Sequence, residues 1–69
     1  MFFNLAAEIK RRGLTQKEFA LKVGINEVLF SKKINSKTLW NLDEIKRILQ
    51  FFANELSFDY LFFEESIEK

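Results

Sequence analysis

Two side chains that most often do chemistry in small domains, Cys and His, are missing from the 69 residues of this chain. That removes the thiol nucleophile, the disulfide, the zinc finger, the commonest general base and the commonest metal ligand. The two glycines, Gly13 and Gly24, stand alone, so no Gly-rich loop can cradle a phosphate. Lys, carboxylate and hydroxyl groups remain and are capable of catalysis, but no motif points to it; with Arg and amide groups they suit noncovalent recognition. No enzyme, metal site or cofactor is expected. The charges are also unevenly placed. Through Trp40 there are eight Lys+Arg and three Asp+Glu, whereas from Asn41 onward there are three and seven. The net charge of +1 therefore conceals a basic front half suited to phosphates and an acidic back half suited to facing away from them.

These groups must be positioned by one small core, because a chain this short forms a single domain. Hydrophobic periodicity is helical throughout, and no strand pattern competes. A first helix, Phe2 to Arg12, gathers Phe2, Leu5 and Ile9 on one face and is ended by Gly13. Thr15 with Glu18 forms a capping box that opens a second helix running to about Val23, with Phe19, Ala20 and Val23 buried. Gly24 breaks that helix, and Asn26 caps a third, Glu27 to about Asn35, whose apolar face is Phe30 and Ile34 extended by Leu29. Ser36 to Trp40 reads as a loop. Asn41 with Glu44 marks the start of a fourth helix that carries Ile45, Ile48, Leu49 and Phe52 and ends near Asn54. Ser57 caps a last short helix, Phe58 to Phe63. The expectation is an all-α bundle of five short helices over residues 1–63, followed by a frayed acidic tail over 64–69.

Apolar runs are far shorter than the roughly 20 residues that span a bilayer, and the start lacks the pattern of a signal peptide. A cytoplasmic location is expected, with no membrane partner.

The stretch from Gln16 to about Asn35 carries the functional signal. Ala20 is small where two helices approach, Gly24 follows four residues later where the turn needs a positive φ, and Phe19, Val23, Ile25 and Phe30 pin the pair to a common core. Two helices joined by a short Gly-containing turn read as a helix-turn-helix, which can project its second helix into the major groove of DNA. The strings Leu14-Thr15-Gln16-Lys17-Glu18-Phe19-Ala20, Lys22-Val23-Gly24-Ile25 and Phe30-Ser31-Lys32-Lys33-Ile34-Asn35 resemble the phage Cro and repressor family, in particular its small prophage repressors. Trp40, Glu44-Ile45 and Tyr60-Leu61-Phe62-Phe63 are similar to that subgroup too. The resemblance covers about Leu5 to Leu61. It implies a lambda repressor-like fold, sequence-specific binding to double-stranded operator DNA in a bacterial host cell at the nucleoid, and commonly a homodimer. No small-molecule ligand is implied.

Carried over residue by residue, the resemblance assigns base reading to Glu27, Val28, Ser31 and Lys32. Lys32 can donate to guanine O6 or N7, Val28 can touch a thymine methyl, and Glu27 can accept from cytosine N4. Backbone phosphate contacts fall to Gln16, Lys17, Asn35, Lys37 and Thr38. Gln16 and Lys17 open the second helix, where free amides and the positive dipole end attract phosphate. Lys10, Arg11, Arg12 and Lys17 form a basic zone that adds long-range attraction. Departures from the family are Ser36, where many relatives have glycine, and Ile9 with Ile34, where many pair an Arg with a Glu. Lys33 lies where relatives often have an apolar residue, and its stem is expected to cover the core while its ammonium snorkels.

Nine Phe, with Trp40 and Tyr60, exceed what so small a core obviously holds. Phe2, Phe19, Phe30 and Phe52 have core slots, and Phe51, Phe62 and Phe63 are candidates for the dimer interface. A rival expectation is a helix-turn-helix used as a protein-interaction module, an antirepressor or adaptor, since fold does not fix function.

Overall fold

The computed structural model describes residues 1–64 and contains five helices: α1 (Phe3–Arg11), α2 (Gln16–Val23), α3 (Glu27–Ile34), α4 (Leu42–Phe51) and α5 (Phe58–Leu61). Among the described residues there is no strand. The expected tail, past Glu64 itself, lies outside the described residues. No helix among them is long and apolar enough to cross a membrane.

Local chemistry starts each helix. The Thr15 hydroxyl accepts from the Glu18 amide while the Glu18 carboxylate accepts from the Thr15 amide, closing the capping box of α2. Asn41 and Glu44 do the same for α4. The Asn26 Oδ1 accepts from the amides of Val28 and Leu29 at 2.9 and 3.2 Å, and Ser57 caps α5 through the Tyr60 amide. Only α1 lacks a side-chain cap; its Phe2 amide instead donates to the Ile34 carbonyl at 3.0 Å, tying the start of α1 to the end of α3.

The first four helices end alike. Paired backbone bonds run from Gly13 to Lys10 and Leu14 to Ile9, from Gly24 to Leu21 and Ile25 to Ala20, from Ser36 to Lys33 and Lys37 to Lys32, and from Ala53 to Gln50 and Asn54 to Leu49. This is the Schellman pattern, and its pivot residue is left-handed each time: Gly13 φ 74°, Gly24 φ 73°, Ser36 φ 66° and Ala53 φ 55°. Glycine adopts that conformation freely, whereas an L-residue loses roughly 1–2 kcal/mol there. Ser36→Gly and Ala53→Gly should therefore each stabilise the chain by about 0.5–1 kcal/mol, after the extra unfolded-state entropy of glycine is subtracted. In urea unfolding the midpoint should rise at unchanged slope; an unchanged or lower midpoint would mean that these pivots carry no strain.

The core comprises Phe2, Leu5 and Ile9 from the α1 region, Phe19, Ala20 and Val23 from α2, Ile25, Phe30 and Ile34 around α3, and Ile48, Phe52 and Leu61. Ile9 and Ile34 are both fully buried and stand within the core. Leu29 is 46 % exposed and does not extend the buried face of α3. The helix ends also differ from expectation. The left-handed Ala53 and Asn54 stop α4 at Phe51, and α5 closes at Leu61, two residues short of Phe63.

Most of the surplus aromatics find places in this fold. Phe51 lies edge-on to Phe19 at 4.9 Å, and Phe62 packs edge-on to Phe2 and Trp40 and stacks on Phe58. Trp40 also meets Phe2 and Phe30 at 5.8 and 5.6 Å. Of the three interface candidates, Phe51 and Phe62 are thus half-buried against the chain's own core, and Phe63 stays exposed at 54 %.

A polar cluster joins α5 to α1. The Tyr60 hydroxyl donates to the buried Glu8 carboxylate at 2.8 Å, Arg12 donates at 2.9 Å, and Arg11 completes the shell. The Asn4 side-chain amide donates to the Tyr60 carbonyl, and the Arg12 guanidinium lies 4.4 Å above the Phe52 ring. Burial pushes the Glu8 carboxyl up, but the bonds from Tyr60, Arg12 and Arg11 outweigh it and hold its pKa below the ordinary carboxylate value.

Candidate nucleic-acid interface

α3 is held from behind, which frees its outer side. Phe30 and Ile34 are 1 % and 0 % exposed, and the Phe30 ring sits 5.6 Å from Phe19 of α2. Between them in sequence lies Lys33, and here the structure corrects expectation. Its ammonium does not snorkel to water. It donates to both oxygens of Glu44 at 2.6 and 2.7 Å, and both side chains are close to nine-tenths buried. The Glu44 carboxylate simultaneously serves the α4 capping box. One carboxylate therefore caps α4 and neutralises a lysine of α3, which fixes the rotation of α3 about its axis.

With Phe30, Lys33 and Ile34 turned inward, the helical period turns Val28, Ser31 and Lys32 outward, and Glu27 is open as the first residue of α3. All four are exposed, Val28 at 61 %. Together with Asn35 and Lys37 they line one open depression on the outer side of α3. Lys37 reaches it because the Schellman turn at Ser36 folds the chain back, with the Lys37 amide on the Lys32 carbonyl at 2.7 Å. No hydrogen bond or ion pair within the described residues engages the side chains of Glu27, Lys32 or Lys37, so their charges face outward uncommitted. The Asn35 amide nitrogen already donates to the Ser31 carbonyl at 2.9 Å, which leaves one N–H and its carbonyl oxygen for another partner.

The remaining candidates lie apart from this depression. Gln16 is half-buried at the start of α2, Lys17 is exposed beside it, and Thr38 is exposed in the loop after α3; none lines the depression. The basic zone is smaller than its composition suggests. Arg11 and Arg12 are spent on Glu8, which leaves Lys10 and Lys17 exposed without an ion pair among the described residues. No cluster of His, Cys, Asp or Glu that could hold a metal occurs among the described residues.

The structure also brings forward Arg47, to which the sequence drew no attention. Its guanidinium reaches from α4 to the carbonyls of Val23 and Gly24 at 3.1 and 3.0 Å, at the turn between α2 and α3. Its other nitrogen is held by Asp43, one turn earlier on α4. An Arg at i+4 from an Asp reads in sequence as an ordinary surface pair, and only the tertiary fold shows where the guanidinium goes. Comparison with known proteins adds nothing to this geometry: no protein-family model, curated protein or solved structure matches the chain.

Proposed function

We propose that the chain is a sequence-specific DNA-binding transcriptional regulator of the phage Cro and repressor type, with α2 and α3 as its helix-turn-helix. The observation that carries this reading is the depression on α3. It gathers a carboxylate acceptor, a methyl surface, a hydroxyl and two unpaired ammonium groups from Glu27, Val28, Ser31, Lys32 and Lys37 on the outer side of one helix. The major groove presents the complementary donors, acceptors and thymine methyls. The basic front half supplies attraction to phosphate, with Gln16 and Lys17 at the α2 N-terminus and Asn35, Lys37 and Thr38 after α3 as backbone contacts. A homodimer on a pseudo-palindromic operator would set two copies of α3 about one DNA turn apart. Phe63 and Phe58, 54 % and 49 % exposed, are the apolar surface offered to such a partner.

In vitro selection from random duplexes, followed by binding at several salt concentrations, tests this reading. Lys32→Ala should cost about 1–3 kcal/mol of discrimination at one base pair, and Lys37→Ala should weaken all sequences alike and flatten the salt slope by about one. If selection enriches nothing at low salt, the adaptor reading gains. If Lys32→Ala leaves the selected sequence unchanged, α3 is not the reading surface.

A further inference from the structure

Arg47 stands outside every contact surface described above, yet its guanidinium ends at the turn that sets one helix against the other. We infer that Arg47 is a positioning residue for α3: by clamping the carbonyls of Val23 and Gly24 to α4, it fixes the angle at which α3 leaves α2.

Three observations support this. First, the C-terminal end of a helix carries partial negative charge and unpaired carbonyls, and a guanidinium fork satisfies two acceptors at once. Arg47 Nη1 does so at 3.1 and 3.0 Å. Second, Asp43 holds the other terminal nitrogen, so both ends of the fork are engaged. Third, the turn is shaped to admit it. A Cβ on Gly24 would lie 3.1 Å from Arg47 Nη1, closer than side chains ordinarily pack, and Gly24 has φ 73°. Glycine thus serves twice here, as the left-handed pivot and as the gap through which the guanidinium approaches. Among the described residues these two bonds are the only side-chain hydrogen bonds that reach the turn from another helix. The backbone of Gly24 and Ile25 is otherwise held by α2 itself.

The inference rests on the DNA-reading function for its consequence but not for its geometry, and two measurements separate them. Residual dipolar couplings on the whole chain report the angle between α2 and α3 in wild type, in Arg47→Gln and in the milder Asp43→Asn. Couplings within α3 should keep their pattern, while the relative orientation of α2 and α3 should change in Arg47→Gln and change less in Asp43→Asn. Binding is then measured to a duplex selected by the wild-type chain and to a random-sequence duplex of equal length. Arg47→Gln should lose roughly tenfold on the selected duplex and much less on the random one, because phosphate attraction survives when the reading geometry does not. The salt slope should hold. Unchanged couplings would overturn the inference. So would an equal loss on both duplexes with a slope flattened by about one, which would make Arg47 a phosphate ligand. If wild type selects no duplex, the DNA-reading function fails, and the couplings still decide the role of Arg47.

Discussion

Replacing Lys33 by Met should cost about 3–5 kcal/mol of folding stability, the usual effect of removing one partner from a buried ion pair. The partner left behind is Glu44, whose side chain is only 11 % exposed and whose two oxygens lose bonds of 2.6 and 2.7 Å. Its remaining bond to the Asn41 amide cannot neutralise the carboxylate. For a domain of this length the whole stability is roughly 3–10 kcal/mol, so the loss removes about a third of it or more. The compensating change is Glu44→Gln. A glutamine still reaches the Asn41 amide and keeps the capping box, but it buries no charge. The double variant Lys33→Met with Glu44→Gln should recover more than half of the loss, as apolar or neutral replacements of whole buried pairs commonly do. Urea unfolding of the four chains in the cycle measures this. A single-variant loss under about 1 kcal/mol would show that the pair is solvated.

That ion pair marks the boundary of what local sequence could convey. The helix starts were legible because their chemistry is complete within four residues: Thr15 with Glu18, Asn41 with Glu44, Asn26 with the amides just after it. The ends at Gly13 and Gly24 were legible because glycine advertises a positive φ. The matching end at Ala53 was not, because an alanine takes the same pivot and announces nothing: α4 stops at Phe51, short of the expected Asn54, whereas α3 ends just before Ser36, where the loop was expected. Lys32 and Lys33 are neighbours of one residue type with opposite positions, one facing outward and one bonded in the interior. Periodicity separates them only when Phe30 and Ile34 are known to be the buried pair. The carboxylate that receives Lys33 is eleven residues away across a loop, and Arg47 reaches back over twenty-three. Pairings at such separations are fixed by the packing of helices, not by spacing along one of them. The packing of the surplus aromatics is set at the same long separations. Trp40, Phe51 and Phe62 share faces with rings from distant segments, so the core holds more of them than a count by helix suggests. The exposed side of α3 was legible because Phe30 and Ile34 mark its buried side; the base-reading roles proposed there rest on the resemblance. The assignments outside α3, Gln16, Lys17 and Thr38, rest on family likeness without a shared surface.

Phe19→Ala should be the most damaging truncation of the core, costing about 3–5 kcal/mol. The side chain is fully buried, and its ring lies 5.6 Å from Phe30 of α3, 4.9 Å from Phe51 and 5.8 Å from Phe52 at the end of α4. One ring therefore supports three helices, and each aromatic pair adds roughly 0.5–1.5 kcal/mol beyond the area it buries. The neighbours cannot all collapse inward, since Phe30 is tied through Trp40 to Phe2 and Phe62. A cavity should persist, and part of the loss scales with its volume. Phe63→Ala supplies the contrast. Phe63 is 54 % exposed and should change the stability of the isolated chain by less than about 0.5 kcal/mol. Thermal unfolding followed at several protein concentrations reads both variants. If Phe63→Ala instead lowers Tm in a concentration-dependent way, the exposed ring is part of a subunit interface, and the stability it confers belongs to the assembly. If Phe19→Ala costs less than about 2 kcal/mol, the three-helix junction repacks, and α3 does not depend on this ring for its seat.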